Sequence, residues 1–154
     1  MSLPVNGKSG TGEVVVYKVP AFTAVQIETL RLQLDTSASG GDHMIRVRLV
    51  NDAGNPFATL DDLNVAADGQ TNYYTYGLGL NASACTLPGG LAVTDALPWS
   101  YIPAGGYVTV TPIDGTGAPI GGDEISNVVL QVNYETDQGS QTPAPSPILV
   151  PQAA

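Results

Sequence analysis

The sequence predicts an all-β protein, an antiparallel β-sandwich of about eight strands in a jelly-roll-like arrangement. Glycine (18) and proline (12) are abundant among the 154 residues, whereas glutamate (4) and lysine (2) are scarce, and this composition disfavours long helices. Several segments alternate apolar and polar residues with the period of two that a half-buried strand requires. Turn residues separate these segments, as in sandwiches and barrels.

Three segments alternate most clearly, and their apolar faces predict the core. These faces consist of Leu30, Leu32, Leu34, Ile45, Val47, Leu49, Val128, Leu130 and Val132. Three consecutive valines at residues 14–16 indicate a first strand buried on both faces, by the core on one side and by a partner on the other. Tyrosine and threonine favour a strand over residues 71–78. The predicted strands in chain order are residues 13–19, 27–34, 43–50, 57–60, 71–78, 96–102, 107–113 and 125–135.

Two connections look alike, and we interpret both as hairpin turns. Gly40-Gly41-Asp42 precedes the strand at 43–50, and Gly121-Gly122-Asp123 precedes the strand at 125–135. Paired glycines supply the positive φ that tight hairpins need. A duplicated half-domain is the alternative interpretation.

The two ends of the chain differ from the middle. Residues 1–12 are polar and glycine-rich and predict an N-terminal arm, residues 13–136 form the β-sandwich domain, and residues 137–154 form a proline-rich C-terminal arm. Prolines 143, 145, 147 and 151 predict an extended, polyproline-like chain that could reach about 50 Å. Burial of Ile148, Leu149 and Val150 alone does not offset the entropy lost on ordering it. A long contact line on a neighbouring subunit is therefore expected.

Charge and segment composition exclude several classes of partner. Five lysines and arginines against fourteen acidic residues give a net charge of −9, which argues against nucleic acid and anionic membrane surfaces. No apolar run is long enough to span a membrane. The first residues lack the features of a secretory signal, so synthesis in a cytoplasm without export is expected.

Candidate catalytic groups are few. Ser39, Asp42 and His43 supply the residue types of a triad, but a triad depends on spatial geometry. His43 begins an alternating strand and is expected at the surface or rim. Cys85 has no neighbouring cation in the sequence and is expected to be a small buried residue. A single cysteine and a single histidine exclude a disulfide within the chain and a structural zinc site.

Calcium needs only oxygen ligands, so the acidic loops are the remaining metal candidates. The carboxylates of these loops are Asp61 and Asp62 followed by Asp68, then Asp114, then Asp123 with Glu124. None has the EF-hand spacing, and aspartate is common in turns for backbone reasons. The sequence therefore predicts no metal, no cofactor and no catalytic residue.

The aromatic residues form two groups. Tyr74 and Tyr76 share one face of a predicted strand and Tyr73 takes the other, while Trp99 and Tyr101 share a face of a second strand. Such rings suit a subunit interface or a core. A sugar-stacking platform is the alternative.

Residues 95–135 resemble the small structural proteins of tailed-bacteriophage virions. The resemblance lies in the stretch Leu97-Pro98-Trp99-Ser100-Tyr101-Ile102-Pro103-Ala104-Gly105-Gly106-Tyr107-Val108-Thr109-Val110, where a Pro-Ala-Gly turn precedes a strand. A later turn, Gly121-Gly122-Asp123-Glu124, precedes the final strand. Within that group the chain is most similar to capsid decoration (cement) proteins.

This resemblance implies a jelly-roll or sandwich fold, a homotrimer with extended arms, and a non-enzymatic role on the outer capsid surface of a virion made in the host cytoplasm. The implied partners are the major capsid protein and sister subunits. The predicted interface residues are Leu3, Val5, Tyr74, Tyr76, Trp99, Tyr101, Ile148, Leu149 and Val150. A glycan- or receptor-binding module of a phage tail or baseplate is the alternative function.

Overall fold

The computed structural model describes residues 2–38, 41–97, 99 and 101–136, with the backbone alone at 135 and 136. These residues form two β-sheets. The larger sheet contains β1 (Ser2–Asn6), β2 (Gly10–Thr11), β4 (Thr23–Asp35), β7 (Thr71–Gly77), β8 (Ser83–Leu87), β9 (Gly90–Ala96), β10 (Tyr101–Ile102) and β12 (Glu124–Thr136). The smaller sheet contains β3 (Val14–Lys18), β5 (His43–Val50), β6 (Pro56–Ala66) and β11 (Tyr107–Ile113). Within the described ranges there is no helix, and hence none that could span a membrane.

The strand order is that of a jelly roll. One sheet runs β1-β12-β4-β7 and the other runs β3-β11-β5-β6. With β2 and β8–β10 set aside, the larger sheet consists of the first, eighth, third and sixth strands, packed against the second, seventh, fourth and fifth. The pairings are antiparallel apart from β7 with β9, which is parallel and extends the larger sheet beyond the jelly roll. The predicted fold class is confirmed.

The core lies between the two sheets and contains the residues that the alternation predicted. Each of the nine predicted core residues is at most 3 % exposed. The alternation predicted these residues correctly because each of their strands has one face against the opposite sheet. A period of two therefore separates buried from exposed positions.

The predicted N-terminal arm is wrong. Residues 2–6 form β1, which pairs with β12 from Ser2 opposite Asn133 to Asn6 opposite Val129. Gly7 then donates its N–H to the carbonyl of Val128 at 2.8 Å. The segment looked like an arm because its attachment comes mainly from backbone hydrogen bonds, which leave no apolar pattern in the sequence. The predicted C-terminal arm lies outside the described residues.

The two predicted hairpins are also wrong. β4 and β5 lie in different sheets, as do β11 and β12, so both glycine-rich connections cross the end of the sandwich instead of reversing the chain within one sheet. The predicted strand at residues 96–102 is reduced to β10, and β8 and β9 were not predicted.

Tyr74 and Tyr76 are 1 % and 0 % exposed, with ring centroids 6.2 Å apart. Their side chains are therefore core residues and offer no surface to a partner, which corrects the interface assignment for both. Alternation along β7 leaves Tyr73 as the exposed ring of this strand, at 49 %.

The hydroxyl groups of these two tyrosines differ in a way that can be tested. Tyr76 donates its hydroxyl to Oδ2 of buried Asp62 at 2.7 Å, whereas the buried hydroxyl of Tyr74 has no hydrogen-bond partner within the described residues. We expect Tyr76→Phe to lower the free energy of unfolding by about 1.5–3 kcal/mol, because the bond to a carboxylate is lost. Tyr74→Phe is the matched control and should leave the free energy of unfolding almost unchanged. Urea unfolding of both variants is the measurement, and equal costs would contradict the assignment.

Candidate functional site

An apolar groove opens at the end of the sandwich where β4 and β6 begin and β5 ends. The groove is shallow and open to solvent, and its volume is about 440 Å³. The described residues that line it are Ala24, Asn51, Phe57, Trp99, Tyr101, Ile102 and Pro103, and we call this site the aromatic groove. None of these described residues carries a carboxylate, imidazole, amine or thiol, and their apolar and aromatic side chains suit binding by burial and stacking.

Regular structure holds the walls of the aromatic groove in place. Ile102 pairs with Val25 and Tyr101 with Gln26 of β4, so alternation buries Ile102 and leaves Tyr101 41 % exposed. On the opposite wall, Phe57 follows a turn that Asn51 closes by accepting N–H bonds from residues 53 and 55 at 3.0 and 2.9 Å. A preformed groove of this kind loses little entropy when a partner binds.

Large apolar side chains are exposed at this end of the molecule. The chain has two phenylalanines and one tryptophan, and all three are exposed here: Phe22 at 89 %, Phe57 at 42 % and Trp99 at 57 %. Phe22 also has a φ of 62°, a left-handed conformation that costs a residue with a side chain on the order of 1 kcal/mol. Clustered exposed aromatic residues are typical of interaction surfaces.

The sequence indicated only part of this site. Trp99 and Tyr101 were predicted interface residues, and the structure places both in the aromatic groove. Phe57 and Phe22 were missed, because an apolar residue in or before a strand is usually assigned to the core. The local sequence around either phenylalanine offers no signal that separates it from a core residue.

His43 lies at the opposite end of the sandwich. It is fully buried, with Nδ1 2.7 Å from Asp123 Oδ2 and Nε2 2.7 Å from Asp68 Oδ1. Asp123 is also buried and accepts bonds from the N–H and hydroxyl of Ser37, both at 2.8 Å. These contacts join the β4–β5, β6–β7 and β11–β12 connections, and we call Ser37, His43, Asp68 and Asp123 the histidine clamp.

The expectation of a surface histidine is therefore wrong. Burial of the ring lowers the pKa of His43, but the hydrogen bonds to Asp123 and Asp68 outweigh burial and raise it above 6.5. Both ring nitrogens are engaged by carboxylates, so neither is free to activate a nucleophile. The two carboxylates also lie on opposite sides of the ring and cannot converge on one cation. In the described part of the chain, no group of three or more His, Cys, Asp or Glu side chains is arranged to hold a metal ion.

The other acidic loops have local partners. Asp61 pairs with Arg46 through two contacts of 2.6 and 2.8 Å, and the Arg46 guanidinium lowers the pKa of Asp61. Asp114 accepts bonds from the hydroxyl and N–H of Thr116 within its own turn, which lower its pKa. Asp114 acts in turn formation, as the backbone interpretation predicted. Asp61 instead lies within β6 and binds the Arg46 side chain of the neighbouring strand β5.

Cys85 is exposed, not buried as expected. It lies on β8, whose five residues are all exposed at the edge of the larger sheet. None of the five residues of β8 belongs to the core, which explains why a small apolar residue of this strand remains accessible.

No protein-family model matches this sequence, and no curated protein matches it. Among solved structures, a chain in the structure of infectious bursal disease virus Gt strain is 14 % identical, with a TM-score of 0.39; the match covers 90 % of this chain and 31 % of that chain. A chain in the crystal structure of the infectious bursal disease virus VP2 subviral particle is 15 % identical, with a TM-score of 0.33, over 89 % of this chain and 30 % of that chain. The present chain thus spans less than a third of either chain.

Proposed function

We propose that this protein is a non-enzymatic structural protein of a virion, a capsid decoration (cement) protein that binds the outside of a bacteriophage head. The observation that carries the proposal is the exposed aromatic groove on a jelly roll whose buried ionisable cluster is occupied by structural contacts. A cement protein acts by adding contact area across the joints between capsid subunits. Its partners are the major capsid protein and sister subunits of a homotrimer.

The composition of the groove supports protein contacts. Trp99, Tyr101 and Phe57 present large aromatic rings to the groove, Tyr101 from β10 and Phe57 from β6, and aromatic residues of this kind provide most of the binding energy in many interfaces. The net charge of −9 also keeps such a subunit from binding the nucleic acid of a virion non-specifically.

The proposed contact residues retain most of the set predicted from the sequence. They are Leu3, Trp99, Tyr101, Ile148, Leu149 and Val150. Leu3 is 40 % exposed on the edge strand β1 and is accessible to a partner. Val5 pairs with Leu130 and packs against the core, so its contribution is to hold β1 in place for Leu3. Ile148, Leu149 and Val150 lie outside the described residues and enter as sequence-based proposals.

Binding to heads that lack the protein tests this function. Purified protein is mixed with expanded heads of the parent virion prepared without it, and bound copies are counted after sedimentation. We expect wild-type protein to bind and to raise the temperature at which heads rupture. Trp99→Ala should weaken binding about 30-fold, the effect of losing about 2 kcal/mol at an interface hot spot.

Leu63→Ser is the matched control, because Leu63 is 76 % exposed on β6 and does not line the aromatic groove. It should bind heads like the wild type. Absence of head binding by the wild-type protein, or equal loss in both variants, would refute the proposed role of the groove.

A glycan- or receptor-recognition module of a phage tail or baseplate is the second candidate. The exposed Trp99 ring beside Asn51 favours it, since an indole face and an amide suit a sugar ring. A glycan array separates the two functions: a recognition module gives hits that Trp99→Ala abolishes, and a decoration protein gives none.

A further inference from the structure

The described chain ends beside the aromatic groove. In the last pairs of β12 with β4, Glu135 lies opposite Ala24 and Thr136 lies opposite Thr23. Ala24 lines the groove, so the polypeptide leaves the sandwich at the rim of this site. The sequence continues for 18 residues beyond Thr136.

The continuing segment has the composition that such a groove binds. Residues 138–154 contain no charged side chain, and prolines 143, 145, 147 and 151 flank or precede Ile148, Leu149 and Val150. Polyproline-like segments dock in aromatic-lined grooves because proline rings pack on aromatic faces and the restricted chain loses little entropy. The groove in turn presents apolar and aromatic side chains with one amide among its described lining residues.

The length of the continuing segment favours docking in the groove of a second copy over docking in the groove of the same chain. Ile148 is twelve residues beyond Thr136, and prolines 143, 145 and 147 lie in the second half of the spacer between them. A fully extended spacer of that length reaches about 37 Å. The rim of the chain's own groove lies at the exit point, so docking there requires the chain to turn back within residues 137–142. Effective concentration is highest when the length of the spacer matches the span between the sites.

We propose that residues 143–151 of one copy dock in the aromatic groove of a second copy, with Ile148, Leu149 and Val150 packing against Phe57, Trp99 and Tyr101. This inference rests on the proposed function and deepens it, since it names the sister subunit's arm as the partner of the groove. Mutual exchange of arms between grooves links the copies without further contact area between their sandwiches.

Trp99 is the only tryptophan of the chain, so its fluorescence reports directly on occupancy of the groove. The acceptor is the full-length chain with Ile148→Ser, Leu149→Ser and Val150→Ser, which keeps the groove and disables the arm. The donor is full-length Trp99→Ala, which keeps the arm and has no tryptophan signal. Titrating donor into acceptor should shift the emission to the blue and saturate. The acrylamide quenching constant should fall by about half or more, because the Trp99 side chain passes from 57 % exposed to buried.

A donor that carries both Trp99→Ala and the three serine substitutions is the matched control and should produce no change. Circular dichroism of each variant verifies the fold, and a synthetic peptide of residues 141–152 added to the acceptor provides an independent donor. Wild-type protein should show protection of Trp99 that increases with protein concentration.

Two outcomes would overturn the inference. Protection of wild-type Trp99 that is independent of concentration would assign the arm to the groove of its own chain. If neither the Trp99→Ala donor nor the peptide protects Trp99 from quenching, the arm does not dock in the groove and the groove binds another partner. Head binding is measured separately, so a failure of arm exchange is distinguishable from a failure of the proposed function. Arm exchange can fail while groove-dependent attachment to heads persists, and attachment to heads can fail while arm exchange persists.

Discussion

His43→Ala is expected to lower the free energy of unfolding by about 3–5 kcal/mol at pH 6, since one partner of a buried ion pair is removed. The substitution leaves the Asp123 carboxylate fully buried with Ser37 as its remaining neighbour in the histidine clamp. Two carboxylates also face the ring from opposite sides, so only the protonated imidazole can donate to both. Urea unfolding followed by circular dichroism measures the loss.

The same cluster predicts a pH dependence with a definite sign. The pKa of His43 is raised above 6.5 in the folded protein, whereas the unfolded chain keeps the ordinary value. Its stabilisation is therefore complete below pH 6.5 and is lost as the pH rises through the folded-state pKa, because the folded protein binds the proton more tightly. Wild-type stability should fall over this range, and the His43→Ala variant should not show that fall.

Asp68→Asn and Asp123→Asn separate the contributions of the two carboxylates. Asp68 is 45 % exposed and Asp123 is buried, so solvent screening limits the cost at Asp68 to about 1 kcal/mol or less. Asp123→Asn should lower the free energy of unfolding several times more than Asp68→Asn does. A cost at Asp68 equal to that at Asp123 would contradict the description of a buried clamp.

Gly90→Ala is expected to destabilise the protein by on the order of 3 kcal/mol, at the upper end of the range for overpacking. A Cβ at this position would overlap the carbonyl group of Thr71, which belongs to the neighbouring strand β7. Backbone atoms cannot move aside cheaply, because Leu91 also donates its N–H to Oδ1 of buried Asn72 at 2.9 Å. β9 would have to separate from β7 at the start of their parallel pairing.

Gly121→Ala is the matched control for this prediction. A Cβ at Gly121 meets no atom within 4 Å, and its φ lies outside the left-handed region. The change should therefore alter stability by less than about 0.5 kcal/mol. Comparable unfolding midpoints for the two variants would show that β7 and β9 are not in close contact at this position.

The sequence by itself determined the all-β class and most of the core. Leu30, Leu32 and Leu34 were assigned correctly because the period of two is a local property: consecutive side chains of a strand point to opposite faces wherever the strand lies. Local composition also indicated Trp99 and Tyr101 as surface candidates.

Only the tertiary structure decided which strands lie side by side. The glycine-rich connections before His43 and Glu124 have turn chemistry, but turn chemistry does not specify whether the next strand stays in its sheet or crosses to the other. The attachment of β1 to β12 depends on backbone groups more than a hundred residues apart, and these leave no trace in side-chain pattern. His43 is buried and Phe57 is exposed for the same reason. The environment of each side chain is set by segments distant in sequence, which here bring two carboxylates around the histidine and leave the phenylalanine beside Trp99 at the open end of the sandwich.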